Sequence, residues 1–202
     1  MIPVLSLDME DPFEFIDRYG SFDYVKVGHN LACSGKQVLG ELEKRNLKAI
    51  LDLKFADIPS TVARSIRSWD HPCIVGFTVH AAAGVDSLKA ALESTDKIVF
   101  AVVKLTSVEG ELEDYLDQIN SIKILGCSFV LPGKWAMKLR KQIPAKILVA
   151  GIRMLRQADD QRDVVNLEDI LQVADYAVIG REVYRSVDPS EAMERIRRIV
   201  YA

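Results

Sequence analysis

The segment Leu51–Thr61, LDLKFADIPST, sets three ionisable side chains, Asp52, Lys54 and Asp57, at the end of an apolar run. Side chains alternate along a strand, so Leu51 and Leu53 face one way and Asp52 and Lys54 the other. Enclosing an ion is costly unless a partner accompanies it. A structural salt bridge would account for Asp52 and Lys54 by themselves. It does not account for Asp57 just beyond them, for Lys26 at the same end of FDYVKVG, or for Asp8 at the end of IPVLSLD. Three successive strands therefore carry charges to one rim. A rim that collects charges in this way is where an enzyme built of alternating strands and helices keeps its chemistry.

The elements that must hold these groups follow from the apolar pattern. Short β-rich runs recur at 2–8, 22–28, 48–54, 73–80, 97–105, 127–132, 146–152 and 176–181. Helical periodicity lies between them, as in 35–46, where Val38, Leu39 and Leu42 share a face, and in 113–125. Near the C-terminus Asp188 suits an N-cap, Pro189 the first helical position and Glu191 a capping box; Met193, Ile196, Ile199 and Val200 form the buried stripe. Strand–helix alternation repeated eight times predicts a small (β/α)₈ TIM barrel, α/β in class, occupying 1–202 as a single domain. The alternative is an open doubly wound sheet, but the first strand lacks a glycine-rich phosphate turn. The leucines at 51 and 53 then face the helices, and Asp52 and Lys54 point into the barrel near its C-terminal mouth. The longest connection, RMLRQADDQRDVV after strand seven, is highly charged and falls where barrels often bind phosphate.

Composition narrows the function classes. A net charge of −3 offers no general field for nucleic acid. No apolar run approaches the roughly 20 residues of a membrane span, and MIPVLSLDMEDP has no basic n-region or long h-region. Cys33, Cys73 and Cys127 read as reduced, buried thiols of a cytoplasmic protein. They do not cluster with the three histidines into a zinc set, so no metal site is expected. His80, ending TVH at the same rim, reads as a supporting or packing residue.

Over essentially the whole chain, the sequence resembles the orotidine 5'-phosphate decarboxylase family. LDLKFADIPST matches its D-x-K-x-x-D-I-P-x-T signature. Asp8 in SLDMED, Lys26 in KVG, GIR with a downstream DDQR, and VIGR before the last helix follow in the family's order. The resemblance implies a cofactor-free lyase that converts orotidine 5'-monophosphate to UMP and carbon dioxide. It implies that Lys26, Asp52, Lys54 and Asp57 surround C6 of the pyrimidine, with Lys54 stabilising the carbanion and protonating it. It also implies a homodimer in which Asp57, Ile58 and Thr61 reach the partner's site. Asp8 and Gly151 would bind substrate, Ser107 would contact the base, with Thr106 as its rival, and Arg153, Gly180 and Arg181 would serve the phosphate. Gln161 would link phosphate to pyrimidine, with Gln157 as the alternative. One departure is Ala150, where many relatives carry proline before the glycine.

Two other functions compete. Sugar-phosphate decarboxylases and hexulose-phosphate synthases share the Asp-x-Lys-x-x-Asp strand end but use Mg²⁺ to stabilise an enediolate; Ile58-Pro59 followed by Thr61 favours the orotidylate branch. A catalytically dead phosphate-binding module would have no need of the complete Lys26, Asp52, Lys54 and Asp57 set.

Overall fold

Eight apolar runs pair in parallel and close into a barrel in the computed structural model, which describes residues 1–153 and 164–202. The strands are β1 (Ile2–Ser6), β2 (Tyr24–Val27), β3 (Lys48–Phe55), β4 (Ile74–His80), β5 (Ile98–Val102), β6 (Ser128–Leu131) and β7 (Ile147–Val149). Two short strands follow, β8 (Ile152–Arg153) and β9 (Val165–Asn166), and then β10 (Tyr176–Ile179) completes the ring between β7 and β1.

The alternation of side chains sorts the core into two layers. Leu5, Val25, Leu51, Phe77, Val99, Ala101, Phe129, Val149 and Ala177 point outward and meet the helices. Val4, Ile50, Phe100, Leu148, Tyr176 and Val178 point inward and pack on one another. Tyr176 meets Phe100 edge-on at 5.6 Å and Tyr24 at 6.1 Å between ring centroids, filling the barrel's lower end. The next inward positions toward the mouth are Ser6, Lys26, Asp52 and Thr78. The barrel is thus apolar below and polar above, which confines water and ligand to one end.

The helices start and stop for local reasons. Helix α1 (Pro12–Tyr19) opens on a proline. Two helices, α2 (His29–Ala32) and α3 (Gln37–Lys44), follow β2, and α3 buries Val38, Leu39 and Leu42 as the pattern predicts. Helix α4 (Pro59–Trp69) has Pro59 at its start, after an extended Ile58, and buries Val62, Ala63 and Ile66. Cutting Ile66 back to alanine at this fully buried position would cost about 2–5 kcal/mol. The chain continues through α5 (Val85–Glu93), α6 (Leu116–Leu125), α7 (Gly133–Leu139) and the short α8 (Arg181–Tyr184). In α9 (Pro189–Tyr201) the Asp188 carboxylate accepts the Glu191 N–H at 3.0 Å, and Met193 and Ile196 are buried.

Three expectations need correction. The run at 146–152 is not one strand: β7 ends at Val149, Gly151 turns the chain with φ of 75°, and Ile152–Arg153 pairs with Val165–Asn166 instead. Cys33 is exposed; it directly follows the short α2, whose only buried residue is Leu31. Cys73 and Cys127 are buried at the start of their strands. Finally, the plain alternation of β3 fails at Lys54, with consequences described next.

Candidate active site

Three neighbouring strands deliver four charges that alternate in sign. Lys26 Nζ lies 3.2 Å from Asp8 and 3.2 Å from Asp52 Oδ2; Lys54 Nζ lies 2.9 Å from the same Asp52 oxygen. Ser6 Oγ donates to Asp8 from β1. On the far side, Thr78 Oγ1 of β4 donates to Asp52 Oδ1 at 2.9 Å. Asp52 is 8% exposed and all but enclosed by these donors.

This mutual pairing decides the charge states. Burial pushes the Asp52 carboxyl up, but the Lys26 and Lys54 charges and the bonds from Lys54 and Thr78 outweigh it, leaving it below the ordinary carboxylate range. Burial pulls the Lys26 ammonium toward neutrality, but Asp52 and then Asp8 outweigh that effect and hold its pKa above the usual lysine value. Both groups stay ionised at neutral pH. Gly28 makes room for the pairing, since a Cβ there would stand 2.8 Å from Asp8 Oδ1 and 3.3 Å from Lys26 Nζ.

Lys54 reaches the array through a bulge. Its backbone is left-handed, φ 48°, and the β3–β4 register shifts between Leu51 and Phe55. A non-glycine residue pays roughly 1–2 kcal/mol for that conformation. Thr78 holds it there: Oγ1 accepts the Lys54 N–H at 2.9 Å while its own proton goes to Asp52. Bulges beside active sites re-aim a side chain, and this one brings the ammonium to Asp52.

The array forms one wall of a cavity of about 630 Å³. Across the mouth, Gly151, Arg153, Gly180 and Arg181 line it from the ends of β7, β8 and β10; Thr106 and Ser107 line it after β5. Arg153 is buried and donates to the Ile152 carbonyl at 3.0 Å. Among the described residues lining the cavity, six lysines and arginines face two carboxylates, although the chain as a whole is net negative. Walls of this kind concentrate an anionic ligand.

Asp57, Ile58 and Thr61 are not in this cavity. The Asp57 carboxylate turns to its own chain and accepts the Ile58 N–H at 2.7 Å. Ile58 is 64% exposed, and both border a separate surface groove with Val85. Thr61 Oγ1 accepts from Arg64. Gln157 and Gln161 lie outside the described residues. His80 ends β4 and its Nδ1 accepts the Ala82 N–H at 3.2 Å; burial and then the Lys54 charge lower its pKa.

Sequence reasoning passed over Thr78, Lys104, Tyr184 and Arg185, all of which line the cavity. Lys104 carried the same signal as Lys54, a charge closing an apolar run. Thr78 carried none, because threonine is ordinary in strands.

Comparison with known proteins shows the family. Residues 2–196 match the family model described as Orotidine 5'-phosphate decarboxylase / HUMPS family. A Thermotoga maritima protein named orotidine 5'-phosphate decarboxylase is 63% identical over 199 residues, covering 98% of this chain and 99% of its own. A crystal structure of orotidine 5'-phosphate decarboxylase from T. maritima superposes with a TM-score of 0.91 at 61% identity, covering 98% of each chain. One from Lactobacillus acidophilus shares the fold, with a TM-score of 0.82 at 24% identity over 100% of this chain and 99% of that one. On the full-length family match and the close relative together, this chain belongs to the orotidine 5'-phosphate decarboxylase / HUMPS family.

Proposed function

We propose that the chain converts orotidine 5'-monophosphate to UMP and carbon dioxide, as a step of pyrimidine synthesis in the cytoplasm. The observation that carries this reading is the alternating Asp8–Lys26–Asp52–Lys54 array at the barrel mouth. The substrate carries a phosphate and a carboxylate, which suits the excess of cations around the cavity. Strand order orients it. Arg181 and Gly180, beside β1, take the phosphate with Arg153, and Gly151 turns the chain there. Asp8 then lies next to the sugar, and Lys26, Asp52 and Lys54 lie at C6. Ser107, after β5, faces the base.

In the reaction the bond from C6 to the carboxylate carbon breaks and carbon dioxide leaves. The electron pair stays on C6, in an orbital the ring stabilises poorly. The Lys54 ammonium, already in place and charged, stabilises that pair and then donates a proton to C6; water later restores the lysine. Asp52 cannot be protonated cheaply, because two lysines and Thr78 bind its ionised form. It therefore keeps the ammonium groups charged and aimed. Binding energy from the remote phosphate fixes the geometry in which this happens. No cofactor takes part in this scheme.

The site is completed by a second subunit. Asp57 stands outside its own cavity beside an exposed Ile58, so in a homodimer these two residues and Thr61 serve the partner's site. Mixing inactive Lys54→Ala and Asp57→Ala proteins under subunit exchange tests this. A mixed dimer has one site with both lesions and one with neither, so random pairing restores about a quarter of wild-type activity. No recovery despite proven exchange would place Asp57 in its own site.

Loss of orotidylate absorbance on adding the protein tests the activity itself. Turnover that survives EDTA supports this reading. Turnover only of a sugar phosphate, abolished by EDTA, would favour the Mg²⁺-using branch of the same family.

A further inference from the structure

The inward face of β5 continues two residues beyond its end. Phe100 and Val102 face the interior, and Lys104 follows in the same parity. Lys104 is 5% exposed, and its ammonium donates to the Val108 carbonyl at 2.6 Å. It also lies 5.4 Å from the centre of the Trp135 ring, supplied by α7. Trp135 packs on Tyr115 at 5.1 Å between centroids. Tyr115 in turn covers Gly110, where a Cβ would come within 2.9 Å of the ring. The turn after β5 is therefore gripped twice, by an ammonium at Val108 and by a ring at Gly110. Between the strand and these grips lie Thr106 and Ser107, both facing the cavity.

We propose that Lys104 is a positioning residue that sets the pyrimidine end of the site. Its ammonium fixes the turn that presents Thr106 and Ser107 to the base. The side chain starts on the cavity wall, and its ammonium meets a backbone carbonyl and an aromatic face of the turn beyond the strand. A buried cation in such a place makes the turn stiff, because moving Val108 away would take a partner from a charge that water barely reaches. This inference rests on the decarboxylase reading through the contact of Ser107 with the base.

The test compares two ligands that share a phosphate but differ in having a base. Lys104→Met should weaken UMP binding and lower kcat/KM for orotidylate by at least about tenfold, the effect of losing one charged hydrogen bond. Affinity for ribose 5-phosphate should stay within about twofold, because the phosphate end is untouched. In a Thr106→Val/Ser107→Ala background the same change should add little, since Lys104 acts through those residues. Tyr115→Leu loosens the other grip and should show the same selectivity; it stands in should Lys104→Met fail to fold. Equal losses for UMP and ribose 5-phosphate, full additivity with the double variant, or no loss of UMP binding would overturn the proposal. A wild-type protein inert toward orotidylate would instead remove the decarboxylase reading, and that result is obtained before any variant is made.

Discussion

Replacing Thr78 by valine removes a hydroxyl and little else in volume. Thr78 is 1% exposed, and its Oγ1 makes two bonds of 2.9 Å, one to the Asp52 carboxylate and one from the Lys54 N–H. A hydrogen bond to a charged group is worth about 1.5–3 kcal/mol, and an orphaned buried donor costs about 1–3 kcal/mol, toward the lower end here because Lys54 is only partly buried. Valine recovers about 1 kcal/mol by removing a buried hydroxyl that would otherwise need partners. The expected net loss is about 1.5–3 kcal/mol of folding stability. The effect on catalysis comes through geometry. Without its acceptor, the Lys54 N–H no longer holds the left-handed bulge, and relaxation toward an extended backbone swings the ammonium from Asp52. A fall in kcat of more than about tenfold follows if the ammonium must sit within hydrogen-bond reach of C6. Denaturant unfolding measures the first effect and the orotidylate absorbance assay the second. Thr78→Ser, which keeps the hydroxyl, should stay close to wild type in kcat. A Thr78→Val protein within about 0.5 kcal/mol of wild type in stability and about twofold in kcat would show that Thr78 does not hold Lys54 in place.

Arg181→Ala should raise KM for orotidylate and lower kcat/KM by about 2–4 kcal/mol, while barely changing the slow reaction of the phosphate-free nucleoside; equal losses on both would place Arg181 away from the phosphate. The pH dependence of stability follows the two shifted groups. Asp52 titrates below its ordinary 3.8, so its contribution is complete above that value and is lost as pH falls through its lowered pKa. Lys26 titrates above its ordinary 10.5, so its contribution is complete below that value and is lost as pH rises through its raised pKa. The stability gap between wild type and Asp52→Asn, about 3 kcal/mol at neutral pH, should therefore close in acid, and a gap independent of pH in that range would contradict the pairing.

The barrel was legible because its strands are short apolar runs at regular intervals and its inward and outward faces alternate. Asp8, Lys26, Asp52 and Lys54 were legible because ions rarely end buried strands without purpose. What could not be read was anything set by departure from the pattern. Nothing in KAILDLKF announces a left-handed Lys54, because the bulge is held by Thr78 from another strand. Nothing in KILVAGI shows that the chain leaves the barrel after Val149, because Ala150-Gly151 continues the apolar run in composition while breaking it in φ. Cys33 was misplaced for a related reason: cysteine is usually buried, but here it follows a single-turn helix with one buried residue. Lys104 was legible by the same logic as Lys54 and was read only as the end of a strand.

The decisive variant is Lys54→Ala. In the proposed reaction Lys54 stabilises the C6 carbanion and protonates it, while phosphate and base are held by other residues. The purified variant should lose at least about a thousandfold in kcat for orotidylate. It should bind UMP within about tenfold of wild type. A folded Lys54→Ala protein that keeps more than about a tenth of wild-type kcat would rule out Lys54 as the proton donor.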